Sequence, residues 1–473
     1  MEATITRSTP RLTFLVLVGG GASYAMLQSL IAPVLSTIQA TLHTSQNSVT
    51  WVLTAYLLSA SIFTPILGRV GDKVGKERML VVALLALAAG CLLAALAPSL
   101  GVLIAARVIQ GAGGAVLPLS FGIIRDEFPP AAVPSAVGTL SGVIAGRGGL
   151  GIVLAGPVVE LLGYRWLFWI PLVVVGAAAA AAYRFVPESP VRHPGRINWL
   201  GAVLLSGWLV ALLLAVSQAP GWGWGDVRVA GLLTAAVAVF ASWVVVELRS
   251  ANPLIDMRML RLPAVWTTNL VALLFGAAMF AIFAFVPQFV ETPASAGYGF
   301  GASVTEAGLL LLPMLVSVFV AGLISGRVAG TFSAKAQLAT GSALSAVASV
   351  GLATAHSERW QIALATGLFG LGTGLAFSSM TNLIVHSVPA QQTGVASGMN
   401  ANFRTIGGAI GAGVMASIVT SGAQSSGLPA EAGYTDGFLM LTGISIAAVT
   451  AALLVPSARR APRIAAEAAA QPS

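Results

Sequence analysis

The chain has 473 residues, of which 57% are hydrophobic and only 8% are charged. Soluble domains carry about a quarter of charged residues to cover their surface, so this composition excludes a water-soluble protein and indicates a polytopic membrane protein. Cys91 is the only cysteine, which excludes an intrachain disulfide and a thiolate metal cluster. Arginine and lysine in loops beside the membrane explain the net charge of +8 without a nucleic-acid partner.

Fourteen apolar segments are each long enough, at about 20 residues, to cross a bilayer as a helix. In chain order they lie near residues 12–38, 49–68, 79–98, 101–124, 133–161, 165–187, 197–218, 229–248, 266–289, 306–327, 336–355, 360–384, 394–421 and 437–456. The segment at 133–161 is long enough to be tilted or to include a short surface turn. The predicted fold class is therefore an all-α polytopic membrane protein with 14 transmembrane helices.

Basic residues are concentrated in alternate loops between these segments. The clearest case is GRVGDKVGKER at 68–78, which places six charges between two spans. Short loops rich in arginine and lysine stay in the cytoplasm. The pattern therefore predicts a multi-pass protein of the cell (inner or plasma) membrane with both termini in the cytoplasm.

Short stretches of the first half of the chain recur in the second half at a similar offset. The pairs are 68–77 with 326–335, 110–120 with 369–379, and 146–151 with 406–411. Such parallel repeats predict two related bundles of six helices. The predicted domains are an N-terminal bundle at 1–190, two inserted linker helices at 191–262, a C-terminal bundle at 263–458 and a cytoplasmic tail at 459–473.

Four motifs resemble those of the major facilitator superfamily. GRVGDKVGK at 68–76 is similar to its loop signature GxxxDRxGR, and RVIQGAGG at 107–114 is similar to its fourth-helix motif RxxQGxG. The pair at 156–157 resembles the GP of its fifth-helix antiporter motif, and 394–411 resembles the eleventh-helix pattern of the fourteen-helix drug:proton antiporter branch. The resemblance covers about 15–456 and implies the major-facilitator fold in a 6+2+6 arrangement.

The chain departs from that branch in its first and fifth helices. Tyr24 stands nine residues before Pro33, where the branch usually carries an Asp, so the usual intramembrane acid is missing. The glycine pair expected after the GP motif is replaced by Glu160 and Leu161, and a further expected glycine is Ile152.

The charged loop is predicted to act as a conformational latch between the two halves. Its residues in this role are Gly68, Asp72, Lys73, Gly75 and Lys76. Glycine allows a tight turn, and a carboxylate is favoured at a helix N-terminus. The span that begins near residue 394 starts on the same face, so Asp72 is expected to hold the halves together there. The basic residues of the loop also set the topology.

Three arginines, Arg107, Arg147 and Arg404, fall within predicted spans. A guanidinium in hydrocarbon costs roughly 2.5 kcal/mol or more, so each is expected to face a cavity, a substrate or a partner. The alternative is an internal ion pair that only braces the helices. Asn400 and Asn402 are the expected partners of Arg404.

Other polar or soft groups within spans are candidate substrate contacts. They are Gln28, Tyr56, Gln110, Asn269, Phe275, Met279, Phe283, Asn382 and Asn400. Phe275, Met279 and Phe283 share one helix face and suit a broad apolar ligand, although such a stripe is also typical of simple helix packing.

The outer half of the fifth span is predicted to contain a seal and an acid. Gly151, Gly156 and Pro157 permit close helix packing that seals the cavity, although glycine and proline are common in membrane helices. Glu160 is the predicted proton-coupling acid, with Arg107 as its partner. The alternative is that Glu160 lies in the headgroup zone with Arg165.

The predicted function is secondary active transport by alternating access. The family resemblance favours proton-coupled efflux of amphipathic drugs or natural products by a monomer. The alternative is a transporter of an organic anion or a lipid-like metabolite that need not be coupled to protons. No enzymatic site, ATP-binding motif, metal or cofactor is expected, because the four histidines are scattered and no GxxxxGK[ST] is present.

Overall fold

The structure is a computed structural model, and it describes residues 10–31, 34–44, 46–49, 51–188, 198–328, 331–389, 392–421 and 428–456. The predicted tail at 459–473 lies outside the described residues. The side chains of Gln28 and Arg147 also lie outside them, so their predicted roles stay predictions.

Every regular element in the described ranges is a helix. The N-terminal half contains α1 (Pro10–Ser29), α2 (Leu35–Thr41), α3 (Gln46–Val49), α4 (Trp51–Val74), α5 (Lys76–Ala95), α6 (Leu100–Gln110), α7 (Val116–Glu127), α8 (Val133–Leu162) and α9 (Trp166–Phe185). The inserted pair is α10 (Trp199–Trp222) and α11 (Val227–Arg249), followed by the short α12 (Met257–Leu260). The C-terminal half contains α13 (Pro263–Glu291), α14 (Val304–Val328), α15 (Ala334–Thr354), α16 (Arg359–Ser387), α17 (Thr393–Thr420) and α18 (Glu431–Leu454).

Twelve helical segments among the described residues are long and apolar enough to cross a membrane. They include all the long helices from α4 onward except α8, with α6 and α7 counted as one segment. In α1 the apolar stretch is shorter, Arg11–Leu27. The predicted surface turn in 133–161 is not present, because α8 is one continuous helix of 30 residues. A helix thus overlaps each predicted segment, while the length and hydropathy of the described residues identify twelve candidate spans.

Glycine explains how α6 and α7 approach α4. The two helices are joined by the 3₁₀ turn Gly111–Ala115. A Cβ atom on Gly111 would lie 2.7 Å from the backbone nitrogen of Ala60, and one on Gly114 would meet the Thr64 hydroxyl. No side chain fits at either place, so the glycine-rich sequence brings the backbones into direct contact.

The helix ends define two faces of the molecule. We call the face that carries the α4–α5 turn and the start of α17 the charged face, and the other, which carries the α8–α9 and α13–α14 connections, the opposite face. Across the middle, α4 packs against α17, and α8 packs against α14 and α16. The recurring stretches occupy matching places in the two halves, at the ends of α4 and α14, around the start of α7 and in α16, and in α8 and α17.

The inserted pair lies beside the contact between the halves. Its helices pack against each other, and α10 also packs against both α4 and α17. On the opposite face, Asp226 caps α11 and accepts hydrogen bonds from the backbone and the guanidinium of Arg228. Those bonds lower the pKa of the Asp226 carboxyl to about 2.

Candidate functional site: the central cavity and the charged face

A cavity of about 670 Å³ lies between the two halves. Its wall runs from Phe121, Ile384 and Ser397 near the charged face to Leu35 and Glu291 near the opposite face. Most of the lining is apolar. The volume falls within the range of about 300–1,000 Å³ that is typical of small-molecule sites.

Five of the predicted substrate contacts line this cavity. They are Tyr56, Met279, Phe283, Asn400 and Arg404. Phe280 and Phe377, which no sequence pattern singled out, complete an aromatic wall on the C-terminal side. The methionine and aromatic rings offer a broad apolar surface that accepts ligands of different shapes.

Three other predicted contacts lie behind the wall instead of on it. Asn269 accepts a hydrogen bond of 2.9 Å from Asn400, and the Phe275 ring packs 6.5 Å from the ring of Phe377. Asn382 is buried beside the wall. Residues eight apart on an α-helix point about 80° apart, which is why Phe275 and Phe283 do not share the cavity. Phe275 therefore packs against a neighbouring helix, which is the alternative that the sequence left open for this stripe.

Two tyrosines form the N-terminal side of the wall. The rings of Tyr24 and Tyr56 lie 6.3 Å apart, and both residues line the cavity. Tyr56 is only 1% exposed, and its hydroxyl oxygen has no hydrogen-bond partner among the described residues. The position where the resemblance expects an intramembrane acid is therefore occupied by a phenol that faces the cavity.

Arg107 lies behind Tyr56 and is fully buried. Its guanidinium donates hydrogen bonds to the Val52 carbonyl at 3.1 Å and to Gln110 Oε1 at 2.7 Å, and it stands 4.1 Å from the centre of the Tyr56 ring. Gln110 in turn donates a weak bond of 3.6 Å to Cys91 Sγ. Arg107 is thus held by neutral groups and a ring face, and Nη2 remains without a partner among the described residues.

Arg404 places a second cation on the cavity wall. Its guanidinium stands 4.8 Å from the centre of the Phe377 ring. The expected partners are bonded elsewhere: Asn400 donates to Asn269, and Asn402 donates to the Ser61 carbonyl of α4 at 2.7 Å. Neither asparagine accepts a hydrogen bond from Arg404, so the prediction that they satisfy it is wrong for this conformation.

The structure does not bring Glu160 and Arg107 together. The Glu160 side chain is exposed near the end of α8 on the opposite face, whereas Arg107 is fully buried among neutral groups. No described carboxylate pairs with Arg107. The carboxylate that does line the cavity is Glu291, at the end of α13. Sequence reasoning missed it because an acid at a helix end looks like an ordinary headgroup residue.

On the charged face, Asp72 and Gly68 of α4 meet the first turn of α17. A Cβ on Gly68 would lie 3.1 Å from the carbonyl oxygen of Gly394, and a Cβ on Gly394 would lie 3.1 and 3.2 Å from the Asp72 oxygens. Asp72 is 1% exposed and faces the start of α17 near the backbone amide of Val395, but neither carboxylate oxygen has a hydrogen bond of normal geometry. The contact is therefore electrostatic and steric, without the hydrogen bonds expected from the sequence.

The other latch residues belong to the N-terminal half. Lys76 is fully buried and donates a hydrogen bond of 2.6 Å to Asp126, while its nitrogen lies 3.8 Å from Asp72. Gly75 adopts a positive φ of 131° before α5, a conformation that favours glycine. Lys73 is half-buried and makes no ion pair with a described side chain. Lys76 thus braces α5 and α7 as well as the latch.

Arg125 adds a contact between the halves that no motif predicted. Its guanidinium donates to the Val385 carbonyl at 2.5 Å and to Thr393 Oγ1 at 2.7 Å. These bonds join α7 to the end of α16 and the start of α17. The charged face is thus closed by arginine hydrogen bonds as well as by the glycine contact.

The predicted seal lies where α8 packs against α14. Gly156 is buried, and a Cβ there would lie 2.8 Å from the Thr305 hydroxyl. Pro157 lies within α8 one residue later, and Gly151 is buried in the same helix. Close packing of α8 on α14 is therefore present, while a sealing role stays a prediction.

Comparison with known proteins places this architecture in context. The family model of the Major Facilitator Superfamily matches residues 17–412. The tetracenomycin C resistance and export protein of Streptomyces glaucescens is 30% identical over 420 residues, covering 88% of this chain and 77% of that protein. The cephamycin export protein CmcT of Amycolatopsis lactamdurans is 32% identical over 443 residues, covering 90% of this chain and 88% of that protein.

The fold is also similar to that of solved transporters. The proton:xylose symporter XylE, in a structure with 6-bromo-6-deoxy-D-glucose, aligns with a TM-score of 0.67 over 95% of this chain and 96% of that chain. The sequence identity is only 14%, so this likeness is one of fold.

Proposed function

Because the chain belongs to the Major Facilitator Superfamily, we propose that it exports amphipathic small molecules, of the drug and antibiotic kind, by alternating access. It is a transporter and not an enzyme. The observation that carries the proposal is the largely apolar cavity of about 670 Å³ between the two halves. The names of two relatives, export proteins for tetracenomycin C and cephamycin, support it.

The proposed state of this structure is outward-facing. In this proposal the charged face is cytoplasmic, because arginine and lysine are concentrated there, and both termini share that side of the cell membrane. Asp72 at the start of α17 and Arg125 at Thr393 hold the halves together on that face. The cavity reaches Glu291 near the opposite face, from which an exported molecule would leave. The cavity lies within one chain, which supports a monomer.

We also propose that the chain crosses the membrane fourteen times, as the sequence predicted. Twelve described segments meet the length and hydropathy of a span. The remaining two are α1, with its apolar stretch Arg11–Leu27, and α8, whose 30 residues exceed the thickness of a bilayer core. Both are packed against long neighbouring helices, α1 against α8 and α9, and α8 against α1, α14 and α16.

Proton antiport is the proposed energy source, and Glu291 is the acid that the structure favours for it. A coupling carboxylate must be reached alternately by protons and substrate, and Glu291 lines the cavity. Glu160, the acid expected from the sequence, is exposed at the end of α8. Glu291 and Glu160 are therefore the two candidate coupling acids.

A susceptibility panel in an efflux-deficient bacterial host tests the export function. We expect the chain to raise the inhibitory concentration of several amphipathic antibiotics, and a proton uncoupler to remove the protection. Arg107→Ala, matched for membrane abundance, is the inactive control, because that side chain holds α6 against α4 beside the cavity. Unchanged susceptibility across the panel, with the protein present in the membrane, would contradict export of this class.

A further inference from the structure

The cavity contains a cation that the described protein does not neutralise. Arg404 lines the wall, and its guanidinium stands over the ring of Phe377. No described residue accepts a hydrogen bond from its guanidinium. A guanidinium in apolar surroundings is stabilised by a hydrogen-bond acceptor or a counter-charge. The described residues provide neither for the N–H groups of Arg404.

The sequence limits where a protein counter-charge can come from. Of the sixteen acids, only Glu2 and Glu467 lie outside the described residues, at the two ends of the chain. Among the rest, Glu291 is the acid that lines the cavity. Glu291 lies near the opposite face, at the last residue of α13, and forms no ion pair with Arg404. Among the described residues, no carboxylate therefore supplies a counter-charge to Arg404, whose side chain is half-buried on the cavity wall.

Two further donors face the same cavity from the N-terminal half. Tyr24 of α1 lines the same cavity as Arg404 of α17, from the other half of the molecule. Tyr56 lies beside Tyr24 and is 1% exposed; its hydroxyl makes no hydrogen bond of normal geometry with a described residue and has only Tyr24 as a neighbouring side-chain partner. Arg107 behind Tyr56 adds positive potential on that side. Two phenol groups and the guanidinium of Arg404 thus line the same cavity, with Arg107 behind one of the phenols.

We propose that Arg404, Tyr24 and Tyr56 form a subsite for the anionic group of an aromatic acid, whose ring packs on the adjacent phenylalanine and methionine wall. The inference rests on the proposed export function and names the substrate class for it. A carboxylate accepts charge-assisted hydrogen bonds from a guanidinium and a hydroxyl, and the neighbouring rings of Phe280, Phe283 and Phe377 stack against the aromatic part. In this arrangement the substrate spans both halves.

Binding of two probes that differ only in charge tests the subsite. The probes are 2-naphthoate and 2-naphthamide, titrated into the purified full chain in nanodiscs at neutral pH by calorimetry. We expect wild-type protein to bind the naphthoate at least about tenfold more tightly, which corresponds to about 1.4 kcal/mol. This comparison uses wild-type protein and does not depend on the folding of a variant. Equal affinities, or no measurable naphthoate binding, would overturn the proposal.

Variants locate the preference within the cavity. Arg404→Gln should reduce the preference for naphthoate over naphthamide to about threefold or less. Arg404→Lys should keep part of this preference, because it keeps the positive charge. Arg359→Gln is the matched control, because Arg359 also stands over a ring, that of Phe300 at 5.7 Å, but is exposed outside the cavity. A full preference in Arg404→Gln would refute the role of this residue.

The outcomes also separate this inference from the export function. If the chain protects cells from amphipathic drugs but binds both probes equally, the result supports the export function and contradicts the subsite. If naphthoate binding depends on Arg404 but the chain protects cells from none of the drugs, the result supports the subsite and contradicts the export function.

Discussion

The guanidinium of Arg107 stands 4.1 Å from the centre of the Tyr56 ring, and that ring separates the buried cation from the cavity. The contact links α6 to α4, two helices that glycine already brings together at Gly111. A cation over a ring contributes about 0.5–2 kcal/mol, more when it is desolvated. Arg107 therefore acts on the cavity through Tyr56, without touching a ligand directly.

Arg107→Lys should lower transport at least about tenfold, and Arg107→Ala should abolish it. An ammonium cannot reproduce the planar fork that bonds the Val52 carbonyl and Gln110 together. The lost hydrogen bonds should also lower the free energy of unfolding by about 1–3 kcal/mol. Transport rates in proteoliposomes at equal protein content and thermal unfolding curves measure both effects. Full activity of the Lys variant would show that only the charge matters.

Tyr56→Phe should weaken substrate binding without weakening the fold. The hydroxyl makes no hydrogen bond of normal geometry, and only Tyr24 neighbours it as a side-chain partner, so its loss should change the free energy of unfolding by less than about 0.5 kcal/mol. Affinity for the naphthoate should fall about fivefold, the value of one hydrogen bond of about 1 kcal/mol. Tyr164→Phe is the control, since that hydroxyl also lacks a partner but does not line the cavity. Equal losses in both variants would argue against a ligand contact.

Asp72→Asn should leave the protein folded but weaken closure of the charged face. A charge at a helix N-terminus contributes about 0.3–1 kcal/mol, so the ratio of molecules closed on that face to molecules open there should fall about two- to fivefold. Spin-label distances between positions 74 and 327, in a Cys91→Ala background, report that closure, and transport at equal abundance should be slower. Glu188→Gln is a control on the same face, where Glu188 pairs with Arg78 at 3.1 Å within one half. Transport rates and spin-label distances identical to those of the wild type would contradict the latch role of Asp72.

Gly394→Ala should open the charged face by a steric route. The new methyl group would stand 3.1 and 3.2 Å from the Asp72 oxygens and 3.3 Å from the Gly68 carbonyl oxygen, so α4 and α17 must separate slightly. The same spin labels should show longer distances, and the effect should not add fully to that of Asp72→Asn, because both act on one contact. Gly176→Ala is the control, as a Cβ there meets no atom within 4 Å. A normal distance distribution in Gly394→Ala would mean that the helices tolerate the methyl group.

Glu291→Gln should retain substrate exchange and lose accumulation driven by a pH gradient. Its carboxylate lines the cavity, where a proton and a substrate can compete for it. Glu160→Gln should keep gradient-driven accumulation, because that side chain is exposed at the end of α8. The reverse result would restore Glu160 as the coupling acid. Undiminished accumulation in both variants would place proton coupling elsewhere or exclude it.

Hydropathy predicted the positions of the helices because length and apolarity are properties of one segment at a time. The rotation of each helix was harder to predict. Phe275, Met279 and Phe283 share a stripe, yet only the last two reach the cavity, since helix rotation depends on neighbours far away in the chain. The predicted pairing of Glu160 with Arg107 is absent because Glu160 is exposed near the end of α8, whereas Arg107 is fully buried, and the sequence does not reveal how the two helices pack.

The contacts that close the charged face were only partly predictable. The loop signature identified Asp72, because a motif records residue types at fixed spacing. Arg125 lies outside that motif, and its acceptors, Val385 and Thr393, follow it by 260 and 268 residues. Tyr24 could have been recognised from the sequence, because a phenol stands where the family resemblance expects an acid. This replacement indicated that the cavity has an unusual charge pattern.

The inserted pair is tied to both halves by single hydrogen bonds. Ser217 of α10 shares one of 2.9 Å with Thr54 of α4, and Trp224, in the α10–α11 connection, donates one of 2.6 Å to Ser417 of α17. If the halves rock about the cavity, α10 cannot follow both, so at least one of these bonds must break in each cycle. A single hydrogen bond contributes only about 0.5–1.5 kcal/mol, so breaking one of them adds little to the free energy that separates the two states. The apolar packing of α10 on α4 and α17 is the larger resistance to that movement.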